Sequence, residues 1–140
     1  MKKREAVSHI MTNELRTISL HDGSLTDAKN MMEEFHIRHL PVTSGDKLVG
    51  ILSLTDIHRI SFGGNYGQEN DVDTSIFNSM TIQQVMKADP STVSTNTTIR
   101  EAAEQLVNKE FHALPVVNES GNLEGIVTTT DLINYLLEQY

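Results

Sequence analysis

Leu40-Pro41-Val42-Thr43, followed by Gly50-Ile51-Leu52-Ser53-Leu54-Thr55-Asp56, returns later in the chain as Leu114-Pro115-Val116-Val117 followed by Gly125-Ile126-Val127-Thr128-Thr129-Thr130-Asp131. The glycines and the aspartates of the two stretches lie 75 residues apart and the prolines 74. Landmarks that recur in one order at spacings within one residue of each other mark an internal duplication. Two copies of an incomplete unit can bury a shared core and leave matching clefts where they meet.

The same correspondence extends outward from these stretches. Each copy opens with a short amphipathic piece ending in methionine, Val7 to Met11 and Ile82 to Met86, which is expected to dock on its own repeat. Extended segments follow at Thr17-Ile18-Ser19 and Thr92-Val93-Ser94. A helix then starts in each copy at Ser24-x-x-Asp27 and Thr98-x-x-Glu101, the hydroxyl-and-acid spacing that satisfies free backbone N–H groups. Its apolar positions recur at helical spacing: Leu25, Ala28, Met32 and Phe35, then Ile99, Ala102, Ala103 and Leu106. The Pro-containing run reads as a strand with proline near its start or on an edge, where a missing N–H is tolerated. Ser44-Gly45-Asp46 and Ser120-Gly121-Asn122 turn into a second strand, Leu48 to Ser53 and Leu123 to Thr128.

A last helix begins near Asp56 or Asp131, and in copy two Leu132, Ile133, Leu136, Leu137 and Tyr140 give it an apolar stripe. The expected fold is therefore α/β: two β-α-β-β-α repeats packed sheet to sheet about a pseudo-twofold axis, which creates two symmetry-related crevices. The expected division is repeat one over 1–60, a linker over 61–79 and repeat two over 80–140, together one module. Gly63, Gly64 and Gly67 lack the following Lys-Ser/Thr of a phosphate-binding loop, so flexibility is their expected role.

The 140 residues suffice for one domain with a substantial core, and a formal charge of −8 works against nonspecific attraction to nucleic acid or anionic lipid. Cysteine is absent, which excludes disulfides, thiolate metal sites and cysteine nucleophiles. Neither a signal peptide nor a membrane span is legible, and the chain reads as cytoplasmic.

Ser53-x-x-Asp56 and Thr128-x-x-Asp131 stand where an apolar strand gives way to a helix. Two readings compete: a capping box, or a ligand site. Recurrence in both copies, and the matching hydroxyls of Thr55 and Thr130, raise the second. A ribose diol suits one carboxylate that accepts from both hydroxyls, and phosphate oxygens suit helix N-terminal N–H groups beside hydroxyl donors. A purine would lie between apolar side chains, for which Ile37, Leu40, Pro41 and Val42, with Phe111, Leu114, Pro115 and Val116, are candidates.

Paired units with a Leu-Pro-Val strand and a Gly-Ile-Val-Thr-x-x-Asp ending resemble the cystathionine β-synthase (CBS) domain, two of which make a Bateman module. The resemblance covers roughly Val7 to Ile60 and Ile82 to Tyr140. It implies a stand-alone regulatory module binding AMP, ADP, ATP or S-adenosylmethionine in clefts between repeats, pairing into a homodimer and signalling to an unidentified regulated protein. It also implies that Asp56 and Asp131 hold the ribose and that Ser53 and Thr128 help hold phosphate or ribose. His39 to Val42 and Ala113 to Val116 would line the base and phosphate region. Thr17 and Thr92 complete the candidate set.

Copy one carries His36, Arg38 and His39 before its Leu-Pro and His58 and Arg59 after Asp56, whereas copy two has Glu110, Phe111, His112 and Ala113 before its Leu-Pro, with Lys109 nearby, and nothing basic directly after Asp131. The basic groups of copy one suit a more highly charged phosphate chain. A metal at His36 and His39 is not expected, because no carboxylate lies in register. No nucleophile and base are arranged for catalysis, so no catalytic residue is assigned and no enzyme activity is expected. The rivals are a ligand-free dimerisation scaffold, in which both hydroxyl-acid pairs are only caps, and an enzyme acting on nucleotides through the histidines of copy one.

Overall fold

Ser24 starts the first long helix as its sequence requires: its Oγ accepts from Asp27 N at 3.1 Å, and Ser24 N donates back to the Asp27 carboxylate at 3.2 Å. The computed structural model describes residues 4–62, 79–109 and 112–140. Phe111 and Glu110, and the linker glycines Gly63, Gly64 and Gly67, lie outside the described residues. The chain divides into two units, one formed by 16–89 and the other by 1–15 together with 90–140.

The unit of 16–89 contains β1 (Ile18–Ser19), α1 (Leu25–Phe35), β2 (His39–Ser44), β3 (Lys47–Ser53), α2 (Leu54–Phe62), α3 (Ile82–Val85) and β4 (Lys87–Ala88). Its four strands lie in the order β1-β2-β3-β4. The first pair is parallel, with Ile18 opposite Val42, and the others are antiparallel. Helix α1 ends where His36 takes a left-handed conformation, φ 55°, and its N–H reaches Met32 O. Gly45, φ +63°, makes the β2–β3 turn in a region that side chains disfavour. The core gathers Ile18, Leu25, Ala28, Met32, Leu40, Val42, Leu52, Ile57 and Ile82.

In the second unit a 3-10 turn (Val7–His9) is followed by β5 (Val93–Ser94), α4 (Ile99–Lys109), β6 (Ala113–Val117), β7 (Leu123–Thr128) and α5 (Thr129–Glu138). Its three strands run β5-β6-β7, parallel and then antiparallel. Thr98 caps α4, accepting from Glu101 N at 3.1 Å. Val7, Val93, Ala102, Leu106, Leu114, Val116 and Val127 form the core.

The opening pieces do not dock on their own repeats; they are exchanged. Val7 is fully buried in the core of the second copy, its N–H donating to Thr97 O at 2.7 Å, and Thr12 bridges Ile126. Ile82 is buried in the core of the first copy, and β4 pairs with β3. The seats are glycines: a Cβ at Gly125 would overlap the Met11 side chain, and one at Gly50 would overlap Met86. Buried Tyr135 ties α5 to the exchanged start by donating its hydroxyl to Glu5 at 2.8 Å. Leu132 packs on the core, whereas Ile133, Leu136, Leu137 and Tyr140 of the same apolar stripe are exposed. Among the described residues no helix is long and apolar enough to cross a membrane.

Candidate functional site

Strand pleating sorts the candidate residues onto two faces, because successive side chains of a strand alternate. Leu40, Val42 and Leu52 are fully buried and belong to the core of the first unit, as do Leu114, Val116 and Val127 in the second. The side chains of Val42 and Val116 therefore serve the cores, which leaves their backbone groups for any ligand contact. The opposite face of the first sheet carries His39 across from Ser53 and Pro41 across from Ile51, and Ile51 is paired in turn with Lys87. In the second sheet the same positions are Ala113 across from Thr128, and Pro115 across from Ile126, which bridges to Thr12.

Both hydroxyl-acid pairs are helix caps. Ser53 Oγ accepts from Asp56 N at 3.0 Å at the start of α2. At the start of α5, Thr128 Oγ1 accepts from Asp131 N at 3.2 Å, and Thr128 N donates to Asp131 Oδ2 at 2.9 Å. Each junction is braced by one backbone bond to the residue just ahead of the proline strand, Leu54 N to Arg38 O at 2.8 Å and Thr129 N to His112 O at 3.1 Å.

The carboxylates have different neighbours. Asp56 Oδ1 lies 3.4 Å from Arg59 Nη1, with 30% of its side chain exposed. Asp131 Oδ1 accepts from the Thr12 hydroxyl at 3.4 Å. Both aspartates remain partly exposed, and Thr55 and Thr130 stand exposed on the first turns of their helices. The arrangement at each junction is an acceptor carboxylate, a hydroxyl and a helix N-terminus, which together match a sugar diol and an anionic oxygen.

Other candidates fall elsewhere. Thr17 precedes β1 and lines a depression of about 440 Å³ with Ser19, Asp22, Asp27, Asn30 and Glu34. Those acids make it a poor seat for phosphate. Thr92 is half-buried and precedes β5, whose Val93 pairs with Val116. Ile37 packs partly buried against the first core, Arg38 is exposed, and Ala113 and Pro115 are buried. Among the described residues no group of three or more His, Asp or Glu side chains is placed to hold a metal ion.

Thr12, Ile51 and Lys87 are the residues that sequence reasoning missed. The sequence marks them only as equivalent positions: Met11-Thr12 and Met86-Lys87 lie 75 residues apart, the spacing of the glycines that seat them, which does not say which glycine each one meets.

The CBS domain family model matches residues 7–63 and again 82–138. A CBS domain-containing protein of Dictyostelium discoideum is 30% identical over 94% of this chain and 91% of its own length. The inosine-5'-monophosphate dehydrogenase of Korarchaeum cryptofilum is 36% identical over 83% of this chain, which spans only 21% of that enzyme. An uncharacterized protein of Methanocaldococcus jannaschii is 32% identical over 79% of this chain, which spans 40% of its length. Among solved structures, CBSX2 in complex with AMP superposes with a TM-score of 0.80 at 26% identity, covering 96% of this chain and 98% of that one. With both repeats matched by the family model and relatives alike across nearly the whole chain, the protein belongs to the CBS domain family and carries that domain twice in tandem.

Proposed function

We propose that the pair is a regulatory sensor of adenosine nucleotides, AMP, ADP or ATP, whose occupancy is transmitted to a partner protein. The observation that carries this reading is the duplicated junction: in each copy a partly exposed carboxylate, a hydroxyl and a helix N-terminus meet beside a strand whose outward face holds a buried proline. The likeness to CBSX2, solved with AMP bound, supports the adenosine class. Asp56 and Asp131 take the ribose hydroxyls, and Ser53, Thr128, Thr55 and Thr130 face its 5′ side. Pro41, with Ala113 and Pro115, lies towards the base. The basic residues of copy one, Arg38, His39, His58 and Arg59, favour the longer phosphate chain there.

Thermal unfolding against AMP, ADP, ATP and S-adenosylmethionine tests this. A ligand at one hundred times its Kd stabilises the fold by about 2.7 kcal/mol. No shift with any of the four, together with no heat in calorimetry, would overturn the sensor reading. The caps favour the rival scaffold, since capping alone accounts for Ser53 and Thr128. The scaffold requires that outcome.

A second copy of the chain is the proposed cover for Val107 of α4 and for Ile133, Leu136 and Leu137 of α5, which are 76%, 58%, 44% and 65% exposed. Light scattering should give twice the chain mass, and Leu137→Glu should return it to the monomer.

A further inference from the structure

At the Asp131 junction a residue from outside the strand–helix pair reaches the carboxylate. Thr12 exchanges backbone hydrogen bonds with Ile126, 2.8 Å from its N–H to Ile126 O and 3.0 Å in return, and its hydroxyl donates to Asp131 Oδ1 at 3.4 Å. Lys87 holds the corresponding backbone position in the first unit. It pairs antiparallel with Ile51, as Thr12 does with Ile126; it follows Met86 on Gly50, as Thr12 follows Met11 on Gly125. The carbonyl oxygens of Lys87 and Thr12 would both come 3.0 Å from a Cβ at those glycines. Lysine and threonine thus start from one backbone position, and pairing puts each on the strand face that also carries Ser53 or Thr128. Where the second junction has a neutral hydroxyl and Ala113, the first has an ammonium and His39.

We propose that Lys87 is a specificity residue of the Asp56 junction, selecting an adenosine ligand with an anionic 5′ group over an uncharged one. The proposal rests on the sensor reading and adds to it a residue and a charge preference. The ammonium sits on a flexible stem, and its three donors suit phosphate oxygens that Asp56 itself repels. Arg59, already 3.4 Å from Asp56 Oδ1, offsets the carboxylate on its own side. Thr12 has no charge to offer, so the Asp131 junction is expected to distinguish AMP from adenosine less sharply.

Calorimetric titration with AMP and with adenosine, in an Asp131→Ala background that weakens the second junction, reads the proposal directly. Lys87→Met keeps most of the apolar stem and removes the charge. It should weaken AMP binding about tenfold or more and leave adenosine within about twofold, the loss expected for one charge-assisted hydrogen bond. Lys87→Arg should restore AMP preference. In the complementary Asp56→Ala background, Thr12→Lys should raise the AMP-to-adenosine affinity ratio at the second junction. An unchanged ratio in Lys87→Met, with AMP still bound and the fold intact by circular dichroism, overturns the role of Lys87 and leaves the sensor reading standing. Absence of AMP and adenosine binding to the unsubstituted protein overturns both.

Discussion

At the end of β3 the Asp56 carboxylate faces the exposed guanidinium of Arg59, whereas at the end of β7 the Asp131 carboxylate accepts from a backbone N–H and from the Thr12 hydroxyl. The frames that carry them are alike. Both copies pair a short parallel strand with a proline strand, both bulge after its valine, and both seat a methionine on a glycine. The duplicated part of the molecule is its backbone and its buried face, where a change of one side chain leaves a cavity or an overlap. Divergence has collected on the outward face and the helix that follows it, where Lys87 replaces Thr12, His39 replaces Ala113 and Arg59 replaces Asn134 at little cost in packing. Ligand choice can change there without refolding.

The largest effects are expected at the exchanged segments. Ile82→Ala removes a side chain 2% exposed and should destabilise by about 2–5 kcal/mol. Hydrogen exchange should report the loss at Leu40 and Leu52, in the first unit, before Leu114 and Val127. Val7→Ala should reverse that order. Losses confined in each case to the substituted residue's own repeat would contradict the exchange.

Next in size is the ligand response. Asp56→Ala and Asp131→Ala should each lower the AMP affinity of one site by about tenfold to a hundredfold, as expected when a carboxylate shared by two hydroxyls is lost. ATP should suffer more from Asp56→Ala. Equal losses of ATP binding in the two variants would erase the proposed difference between the copies.

Much of this frame is legible in the chain because local rules agree with the tertiary result. Ser24-x-x-Asp27 makes the cap it spells, Ser44-Gly45-Asp46 leads into a turn with Gly45 at positive φ, and the Leu-Pro-Val runs become strands. The exchange is not legible for a physical reason. Val7–Met11 and Ile82–Met86 carry the same pattern, and Gly50 and Gly125 offer the same seat, so the sequence alone is degenerate as to which pairs with which. Loop closure does not decide it either. Met86 is 36 residues from Gly50 and 39 from Gly125, while moving Met11 from Gly50 to Gly125 lengthens its loop from 39 to 114 at a cost of only about 1 kcal/mol. Thr12 and Lys87 were hidden with it. Their place on the site's face depends on a pairing that only the fold reveals.

The helix caps contribute less. Thr128→Ala should cost about 1 kcal/mol, seen as a lower Tm, because it removes the acceptor for Asp131 N. Asp131→Ala should add a comparable loss by freeing Thr128 N. Without ligand, Thr128→Ala measures capping alone and Asp131→Ala measures the cap together with the Thr12 contact, which separates structural from binding roles at the same residues.

The smallest effect expected is at Arg59. Its pair with Asp56 spans 3.4 Å between side chains 72% and 30% exposed, so water and salt screen the attraction and holding the long arginine still costs rotamer entropy. Arg59→Ala should change stability by about 0.5 kcal/mol or less, and that little should vanish at high salt. Binding is the more sensitive readout. Removing the guanidinium leaves Asp56 uncompensated beside an incoming phosphate, so AMP affinity should fall while adenosine affinity holds or rises, since the carboxylate is then free for the ribose. Combining Arg59→Ala with Lys87→Met should give a ratio change larger than either alone if both cations face the same phosphate. A combined change no larger than that of Lys87→Met would mean that Arg59 only restrains its own carboxylate, and that the charge difference between the two junctions resides in Lys87 and His39.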